Sequence, residues 1–269
     1  MLPIVRREPL AAQSLVDGLT PPWRRLEIVD ETGSTNADLL ARSAAGEDVE
    51  GAVLIAEHQT AGRGRSGRTW SAVPFSQIIM SVGVAATDVP VAGWGWLPLA
   101  AGVAVVATIT DITGVRAELK WPNDVLAGGH KLAGILVEVS PVDSTVIVGI
   151  GLNVTLRADE LPPGLCATSL FELGAEELDR TALTKRLLME LGARIEAWRA
   201  ADGADPSLAA DYRSLCSTIG LTVRANLPGG RQLVGMAQSI DEMGRLLIEA
   251  GGRTVAVAAG DVVHVRPKG

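Results

Sequence analysis

The stretch TAGRGRSGRTW, residues 60–70 and here named the arginine loop, has the glycine spacing of one well-known fold class but lacks the helix that this class requires. Gly62, Gly64 and Gly67 satisfy the G-x-G-x-x-G spacing of dinucleotide-binding folds. That fingerprint requires a helix to begin at the third glycine, so that the helix N-terminus faces a pyrophosphate. The letters RTWSAVPF follow instead, with Pro74 and no helical period. The chain therefore does not match a doubly wound dinucleotide-binding fold.

The arginine loop is a basic segment in a chain whose net charge is -7. An acidic chain offers no bulk charge for holding nucleic acid, so Arg63, Arg65 and Arg68 indicate a small anionic ligand. Glycine lets backbone N–H groups approach a ligand closely, and guanidinium forks match phosphate and carboxylate oxygens. The stretch predicts a mobile cationic loop that closes over an anion. A solvated basic turn is the alternative from these residues alone.

Composition and cysteine usage limit the class of protein. The chain has 269 residues and 47% hydrophobic content, enough for one large domain or two unequal ones. Cys166 and Cys216 lie far apart without disulfide-framework or zinc-site spacing, which fits a reducing cytoplasm. The N-terminal 18 residues lack the apolar core of a signal peptide. Residues 97–110 fall short of the roughly 20 residues of a membrane span, so they predict a buried helix and no membrane association.

Segments around the loop predict a mixture of helices and strands. Residues 34–46 form a helix pattern with Thr35 as N-cap and Gly46 after its end. Further helices are predicted at 96–114 and 181–203, and strands at 51–58, 76–84 and 144–154. Residues 117–122 and 130–139 are predicted as a hairpin joined by a loop, NDVLAGG, at 123–129.

After about residue 217 the pattern changes to five short strands separated by glycine turns. This spacing predicts a small β-barrel of about 50 residues. So small a unit is marginal alone, so we expect it to dock on the larger part of the chain. The sequence therefore predicts two domains, residues 1–216 and 217–269.

Four further stretches place polar groups or glycines at element ends. GSTN at 33–36 brings hydroxyls to a helix N-terminus, where N–H groups converge. KWPND at 120–124 puts a rigid proline after a strand and then two polar side chains. KLAGILVE at 131–138 and GIGLNV at 149–154 carry glycines inside strands, which often marks close approach by a ligand.

In this order, and with Q-x-A-G-R-G-R-x-G-R-x-W from Gln59 to Trp70, these motifs resemble biotin protein ligases over residues 30–155. The resemblance implies an α+β fold: a mixed-sheet catalytic domain of the class II synthetase-like biotin/lipoate ligase type, with a small C-terminal SH3-like β-barrel. Ser66 departs from the family, where a further arginine is frequent. Only 32 residues precede Gly33, fewer than a winged helix-turn-helix needs, so we expect a ligase without a repressor role.

The resemblance also implies a reaction. Biotin and ATP, accompanied by Mg²⁺, form biotinyl-5′-AMP, and biotin then passes to one lysine of a biotin carboxyl carrier domain of acyl-CoA carboxylases. A lipoate–protein ligase is the alternative, although the arginine loop and KWPND favour biotin. A biotin-sensing DNA-binding regulator would need a basic patch and a helix-turn-helix, and the sequence shows neither. A non-catalytic biotin-binding module leaves Lys131 and the three arginines unexplained. We expect a monomer or weak dimer that binds no DNA.

Lys131, Asp124 and Arg65 are the catalytic candidates that the resemblance implies. Biotin's carboxylate is already ionised at pH 7, so adenylation needs charge neutralisation rather than a base. Lys131 would bridge carboxylate and phosphate, while Arg63, Arg65, Arg68 and Mg²⁺ would screen the remaining charge. The acceptor lysine must lose a proton before it attacks, which suggests Asp124 as base or amine-positioning group. Asp124 could instead hold Mg²⁺ or simply occupy a turn.

The resemblance distributes the other candidates between the two ligands and gives no metal-ligand set. The biotin-binding candidates are Ser34, Thr35, Asn36, Gln59, Gly62, Arg63 and Gly134. The nucleotide-binding candidates are Arg65, Arg68, Trp70, Lys120, Asn123, Lys131 and Asn153. Four have a structural alternative: Thr35 as a helix cap, Trp70 in the core, Asn153 at a strand-end turn and Lys120 on a solvated strand.

Overall fold

The computed structural model describes residues 7–162, 164–227, 232–258 and 260–265. The predicted glycine turn at 228–231 and the first six residues lie outside these ranges. The helices are α1 (Ala12–Asp17), α2 (Thr35–Ala44), α3 (Leu97–Thr113), α4 (Arg180–Ala200) and α5 (Pro206–Leu215). The strands are β1 (Arg25–Thr32), β2 (Ala52–Gln59), β3 (Gln77–Ala85), β4 (Glu118–Lys120), β5 (Asp124–Ala127), β6 (His130–Val139), β7 (Thr145–Asn153), β8 (Thr222–Asn226), β9 (Gln232–Ile240), β10 (Leu246–Ala250), β11 (Arg253–Val257) and β12 (Asp261–His264).

The first seven strands form one mixed sheet in the order β1-β2-β3-β7-β6-β5-β4. The β1–β2 pair is parallel and every other neighbouring pair is antiparallel. Helices α3 and α4 cover one face, and α2 packs on the other face over β2, β3, β6 and β7. Cover on both faces explains why β3 and β7 are apolar almost without interruption. Helix α2 is short and covers only part of its face of the sheet, so the part beside it is available for a pocket.

Helix α3 is apolar on all sides because it lies inside the protein. The described residues include one helical stretch, Val91–Thr113, that is long and apolar enough to cross a membrane, but 72% of its most apolar window is buried against the protein itself. It contacts α4, α5 and the strands β4 to β7, and it ends at Gly114 in the left-handed conformation (φ 68°). The prediction of a buried helix is confirmed.

The predicted hairpin of two strands is wrong, because the segment read as its loop contains a strand. Strand β5 runs through NDVLAGG and pairs with both β4 and β6, so the three form a meander. Its residues alternate between half-buried and buried, the pattern of a strand with one covered face. Gly128 and Gly129, at φ 58° and 79°, supply the tight turn into β6. Asp124 therefore begins a strand rather than following one.

The predicted cap of α2 is also wrong by one residue. Ser34 has extended backbone and its Oγ accepts from Ala37 N at 3.5 Å, whereas Thr35 is the first helical residue. This shift frees the Thr35 hydroxyl for contacts elsewhere. Gly46 does follow the end of the helix, as predicted. Strand β1 and helices α1 and α5 were not predicted.

The last five strands form an antiparallel sheet in the order β11-β10-β9-β8-β12. Its β9–β10 turn rests on two buried indoles of the larger part: Trp96 Nε1 donates to Glu242 O at 2.7 Å, and Trp121 Nε1 donates to Gly244 O at 3.1 Å. A Cβ at Gly95 would lie 2.4 Å from Met243 O, so the turn sits directly on the backbone there. The predicted docking is confirmed, while the boundary at 216/217 stays a prediction.

Candidate active site

A surface without side chains lies beside α2, on the face of the sheet that this helix covers. Gly134 of β6 pairs with Gly151 of β7, and Gly149 stands two residues before Gly151 on the same face. A Cβ at Gly151 would lie 2.5 Å from the Trp70 ring, and one at Gly149 would lie 2.2 Å from Asn36 Oδ1. These three residues, here named the glycine floor, let the Trp70 ring and the Asn36 amide lie directly against the sheet.

Above the glycine floor lies a pocket of about 230 Å³. It brings together nearly all of the residues that the sequence nominated, from α2, the arginine loop and strands β5, β6 and β7. Those that line it are Ser34, Thr35, Asn36, Gln59, Arg63, Arg65, Arg68, Trp70, Asn123, Asp124, Lys131, Gly134 and Asn153.

Two nominated residues do not line the pocket. A Cβ at Gly62 would lie 2.5 Å from Trp70 O and 2.9 Å from Gln59 Nε2, so this glycine permits the tight base of the arginine loop. Lys120 lies nearer the C-terminal sheet, where burial first and then the Lys120 ammonium hold the pKa of His264 below its usual value. Lys120 does not line the pocket, although it is the strand partner of Asp124, and its contact with a nucleotide stays a prediction.

A buried network of hydroxyls and amides forms one wall. Thr35 N donates to Gln59 Oε1 at 2.8 Å, Thr35 Oγ1 and Ser81 Oγ are 2.6 Å apart, and Ser81 Oγ donates to Asn36 Oδ1 at 2.6 Å. All four residues are buried, so their donors and acceptors are fixed in place. Sequence analysis missed Ser81, although a single polar residue inside the apolar strand QIIMSVGV was a signal. We name these four residues the hydroxyl–amide network.

The arginine loop is a folded turn with hydrogen bonds of its own. Trp70 N donates to Gly62 O at 2.9 Å, and Gly64 N donates to Arg68 O at 2.7 Å. At the tip, Ser66 has a left-handed backbone (φ 56°), a conformation that disfavours large side chains. These bonds shape the loop, and its predicted mobility stays a prediction.

The loop arginines reach different partners across the pocket. Arg63 Nη2 donates to Glu138 Oε1 at 2.6 Å, and Arg65 Nη1 donates to Asn123 Oδ1 at 3.2 Å. Asn123 is itself held, because its Nδ2 donates to Ile135 O at 2.8 Å. Arg63 and Arg65 therefore each contact a residue of the sheet or of the turn that leads into it, although Arg63 stays about half exposed.

Lys131 and Asp124 meet at the pocket, with Lys131 Nζ 2.6 Å from Asp124 Oδ1. The ammonium also lies 5.7 Å from the centroid of the Trp70 ring. The backbone of Lys131 donates to Cys166 O at 3.3 Å, which holds the loop after β7 against β6. The Cys166 thiol is exposed and the Cys216 thiol is buried. The sequence placed Lys131 and Asp124 near each other, and the structure makes them an ion pair.

A second pair of buried amides shapes the opposite end of the pocket. Gln77 Nε2 donates to Asn153 Oδ1 at 2.8 Å, and Asn153 Nδ2 donates to Thr168 O at 2.8 Å. Both ends of the Asn153 amide are therefore engaged within the protein and orient the loop after β7. Gln77 lines the pocket and was missed because it is the second residue of a predicted strand, and polar residues are ordinary near strand ends.

The Trp70 ring lies over the glycine floor rather than in the core. Its Nε1 is buried and has no acceptor among the residues that the structure describes. A buried indole N–H without an acceptor is costly, so a ligand acceptor there would be stabilised. Among all the residues that the structure describes, no group of three or more His, Cys, Asp or Glu side chains is placed to hold a metal ion.

Comparison with known proteins identifies the family. Residues 32–154 match the model of the biotin/lipoate A/B protein ligase family, and residues 218–265 match that of the biotin protein ligase C-terminal domain. The chain is 56% identical to the biotin–[acetyl-CoA-carboxylase] ligase of Mycobacterium tuberculosis over 97% of both proteins. The chain belongs to the biotin protein ligase family. The resemblance inferred from the motifs is thereby confirmed.

Other biotin protein ligases support the same assignment. The bifunctional ligase/repressor BirA of Escherichia coli is 32% identical over 84% of this chain and 69% of its own length. The Aquifex aeolicus biotin protein ligase, solved in complex with biotin and ATP, superposes with a TM-score of 0.77 at 27% identity. That superposition covers 91% of this chain and all of the Aquifex protein. The predicted fold class, a mixed-sheet biotin/lipoate ligase domain followed by a small β domain, is confirmed.

Proposed function

We propose that this biotin protein ligase activates biotin with ATP to biotinyl-5′-AMP and then transfers biotin to a lysine of a carboxyl carrier domain. The observation that carries the proposal is the Lys131–Asp124 ion pair, 2.6 Å long, beside a glycine floor and a loop of arginines. The Mycobacterium tuberculosis relative bears the name of this activity, and the Aquifex aeolicus structure contains biotin and ATP.

In the first half-reaction a carboxylate oxygen of biotin attacks the α-phosphorus of ATP, and pyrophosphate leaves. Both reacting groups are anionic, so the site must cancel their repulsion. We assign to the Lys131 ammonium the contact with both the biotin carboxylate and the α-phosphate, and its ion pair with Asp124 holds it in place. Arg65 and Arg68 then neutralise phosphate oxygens from the arginine loop.

In the second half-reaction the acceptor lysine attacks the acyl carbon, an amide forms and AMP leaves. The attacking amine must first lose a proton. Asp124 is the one carboxylate among the described residues of the pocket lining, with its side chain 19% exposed. We assign to Asp124 the orientation of the incoming amine and the acceptance of its proton.

The two ligands divide the pocket. We place biotin's ring beside the Trp70 ring that covers the glycine floor, where Ser34, the hydroxyl–amide network and the backbone near Arg63 present paired donors and acceptors. We place the nucleotide at the other end, between Trp70, Asn123 and Asn153. The acceptor that Trp70 Nε1 lacks among the described residues would come from the mixed anhydride.

Mg²⁺ fits this arrangement only when it is bound to the phosphates of ATP. Among the described residues there is no cluster of carboxylates, histidines or cysteines that would bind it alone. Mg²⁺ is commonly held by one or two carboxylates together with substrate phosphates, and it neutralises charge on those phosphates. Asp124 is the pocket carboxylate available for such a contact.

The remaining parts of the proposal concern organisation. Every described residue that lines the pocket lies between Ser34 and Ala167, so we assign the chemistry to residues 1–216 and a supporting role to residues 217–269. A cytoplasmic location, a monomer or weak dimer, and the lack of binding to DNA or membranes stay predictions.

The proposal is tested by mass spectrometry of a purified carrier domain after incubation with this protein, biotin and MgATP. A mass increase equal to one biotinyl group on a single lysine is expected, and an unmodified carrier would contradict the proposal. Biotin and lipoate are compared separately by pyrophosphate exchange. Exchange driven by lipoate and not by biotin would establish the alternative ligase activity.

A further inference from the structure

Glu138 lies near the end of β6, outside the pocket lining, and its carboxylate joins two parts of the site. One oxygen accepts from Arg63 Nη2 of the arginine loop at 2.6 Å, and the other accepts from Asn36 Nδ2 at 3.0 Å. The Glu138 side chain is 21% exposed, whereas that of Arg63 is 49% exposed. The carboxylate is thus the better fixed partner and the arginine is the part that can move.

Asn36 connects this carboxylate to the hydroxyl–amide network. Its second Nδ2 hydrogen bond goes to Leu136 O at 3.1 Å, and its Oδ1 accepts from Ser81 Oγ. The network continues through Thr35 to Gln59. A continuous set of hydrogen bonds therefore runs from the residues assigned to biotin's ring to the first arginine of the loop.

We propose that Glu138 is a positioning residue that ties the arginine loop to the hydroxyl–amide network and so holds the loop over bound adenylate. The inference rests on the proposed function, because it concerns how long biotinyl-5′-AMP stays in the pocket. Arg63 acts in it as an anchor, while Arg65 and Arg68 face the phosphate. Because Asn36 is already fixed within the network, its hydrogen bond fixes Glu138, and Glu138 in turn holds Arg63 and the loop.

The chemistry of the carboxylate makes this role testable. Glu138 presents two acceptor oxygens to two donors, Arg63 and Asn36. A glutamine has the same shape but only one acceptor oxygen, and its amide N–H groups would face the second donor. Glu138→Gln therefore keeps the packing and breaks one of the two connections.

The experiment measures the release of preformed, labelled biotinyl-5′-AMP from the full chain after a chase with unlabelled biotin. We expect about fivefold faster release from Glu138→Gln, because loss of one half-exposed ion pair changes a rate by about this factor. Biotin-dependent pyrophosphate exchange at saturation should stay within about twofold of the wild-type rate. Arg63→Gln should give the same increase, and the double variant should add nothing further, because a break at either link already separates the loop from the network. Arg63→Gln also tests the contact if Glu138→Gln fails to fold.

Glu27→Gln is the matched control. It breaks the 2.7 Å ion pair between Arg42 and Glu27 at the far end of α2, outside the pocket, and should release adenylate at the wild-type rate. Wild-type release from both Glu138→Gln and Arg63→Gln would overturn the inference, as would additive effects in the double variant. Wild-type protein that forms no biotinyl-adenylate would overturn the proposed function itself, which is a distinct result.

Discussion

The glycine floor and the arginine loop face each other across one pocket, yet they are built by opposite means. The floor consists of Gly134, Gly149 and Gly151 on strands β6 and β7, and its shape comes from side chains that are missing. The loop consists of long charged side chains on a turn, with Arg63 49% exposed. One surface is fixed by the sheet and the other by a few contacts to it.

This difference separates the two tasks of the enzyme. A rigid, uncharged floor beside a buried hydroxyl–amide network suits a neutral bicyclic ring, whose recognition depends on shape and on fixed donors and acceptors. A cationic loop held by a few contacts suits phosphates, whose charge must be neutralised and whose products must leave. We therefore expect changes in the floor to alter biotin affinity, and changes on the charged side to alter the rate or the retention of the intermediate.

The largest effect is expected on the charged side. Lys131→Ala should lower the rate of biotin-dependent pyrophosphate exchange on the order of 10²–10³-fold, because the ammonium that neutralises both reacting anions is lost. Biotin affinity, measured by calorimetry, should change much less. Lys185→Ala is the control, since Lys185 Nζ contacts Ser14 Oγ outside the pocket. Near-normal exchange in Lys131→Ala would remove this residue from the mechanism.

The next effect tests the floor. A Cβ at Gly151 would lie 2.5 Å from the Trp70 ring, so Gly151→Ala should force that ring upward into the space for biotin. We expect calorimetry to show biotin affinity weaker by about tenfold to a hundredfold, the range for overpacking a tight site. Gly33→Ala is the matched control, because a Cβ there meets nothing within 4 Å. Unchanged biotin affinity in Gly151→Ala would mean that biotin's ring binds elsewhere.

A smaller effect is expected at the loop itself. Arg65→Gly should leave adenylate synthesis partly intact while about tenfold more biotinyl-5′-AMP escapes to the medium, because a charge-assisted contact to phosphate is lost. Free adenylate is measured by chromatography of the filtrate. Arg116→Gly, on an exposed loop outside the pocket, is the control. A filtrate without adenylate would show that Arg65 does not retain the intermediate.

The smallest effect is expected on the pH dependence of stability, at His264, which belongs neither to the glycine floor nor to the arginine loop. The pKa of His264 is held below its unfolded value of 6.5, first by burial and then by Lys120, so the unfolded chain binds more protons between the two pKa values. The wild type should therefore lose unfolding free energy as pH falls below 6.5 towards the folded pKa, and His264→Gln should lose less. Melting temperatures at about pH 7.5 and pH 5.5 measure the difference. An equal pH response of both proteins would contradict this cause.

Much of the site followed from the sequence because its residues cluster in short motifs. The arginine loop, the glycines in strands and Lys131 each carry a local signal that matches what a ligand needs. The buried helix α3 and the amphipathic helix α4 followed from periodicity. These features depend on neighbours in the chain, so the chain alone was enough to find them.

The features that were missed depend on contacts between distant segments. Strand β5 was read as a loop because its Asn-Asp and Gly-Gly pairs favour turns, and only pairing with β4 and β6 makes it a strand. Thr35 was read as a cap because Ser34 and Thr35 are chemically equivalent there. Glu138 becomes informative only once folding brings Arg63 and Asn36 to it.

The two thiols of the chain occupy opposite environments, and this has a practical consequence. Cys166 is exposed on the segment whose backbone holds Lys131, whereas Cys216 is buried. A maleimide dye should therefore attach at Cys166 alone in the folded protein. The native chain then carries a fluorescent reporter at the rim of its own catalytic centre, and arrival of vitamin, nucleotide or carrier can be followed in real time without engineered cysteines.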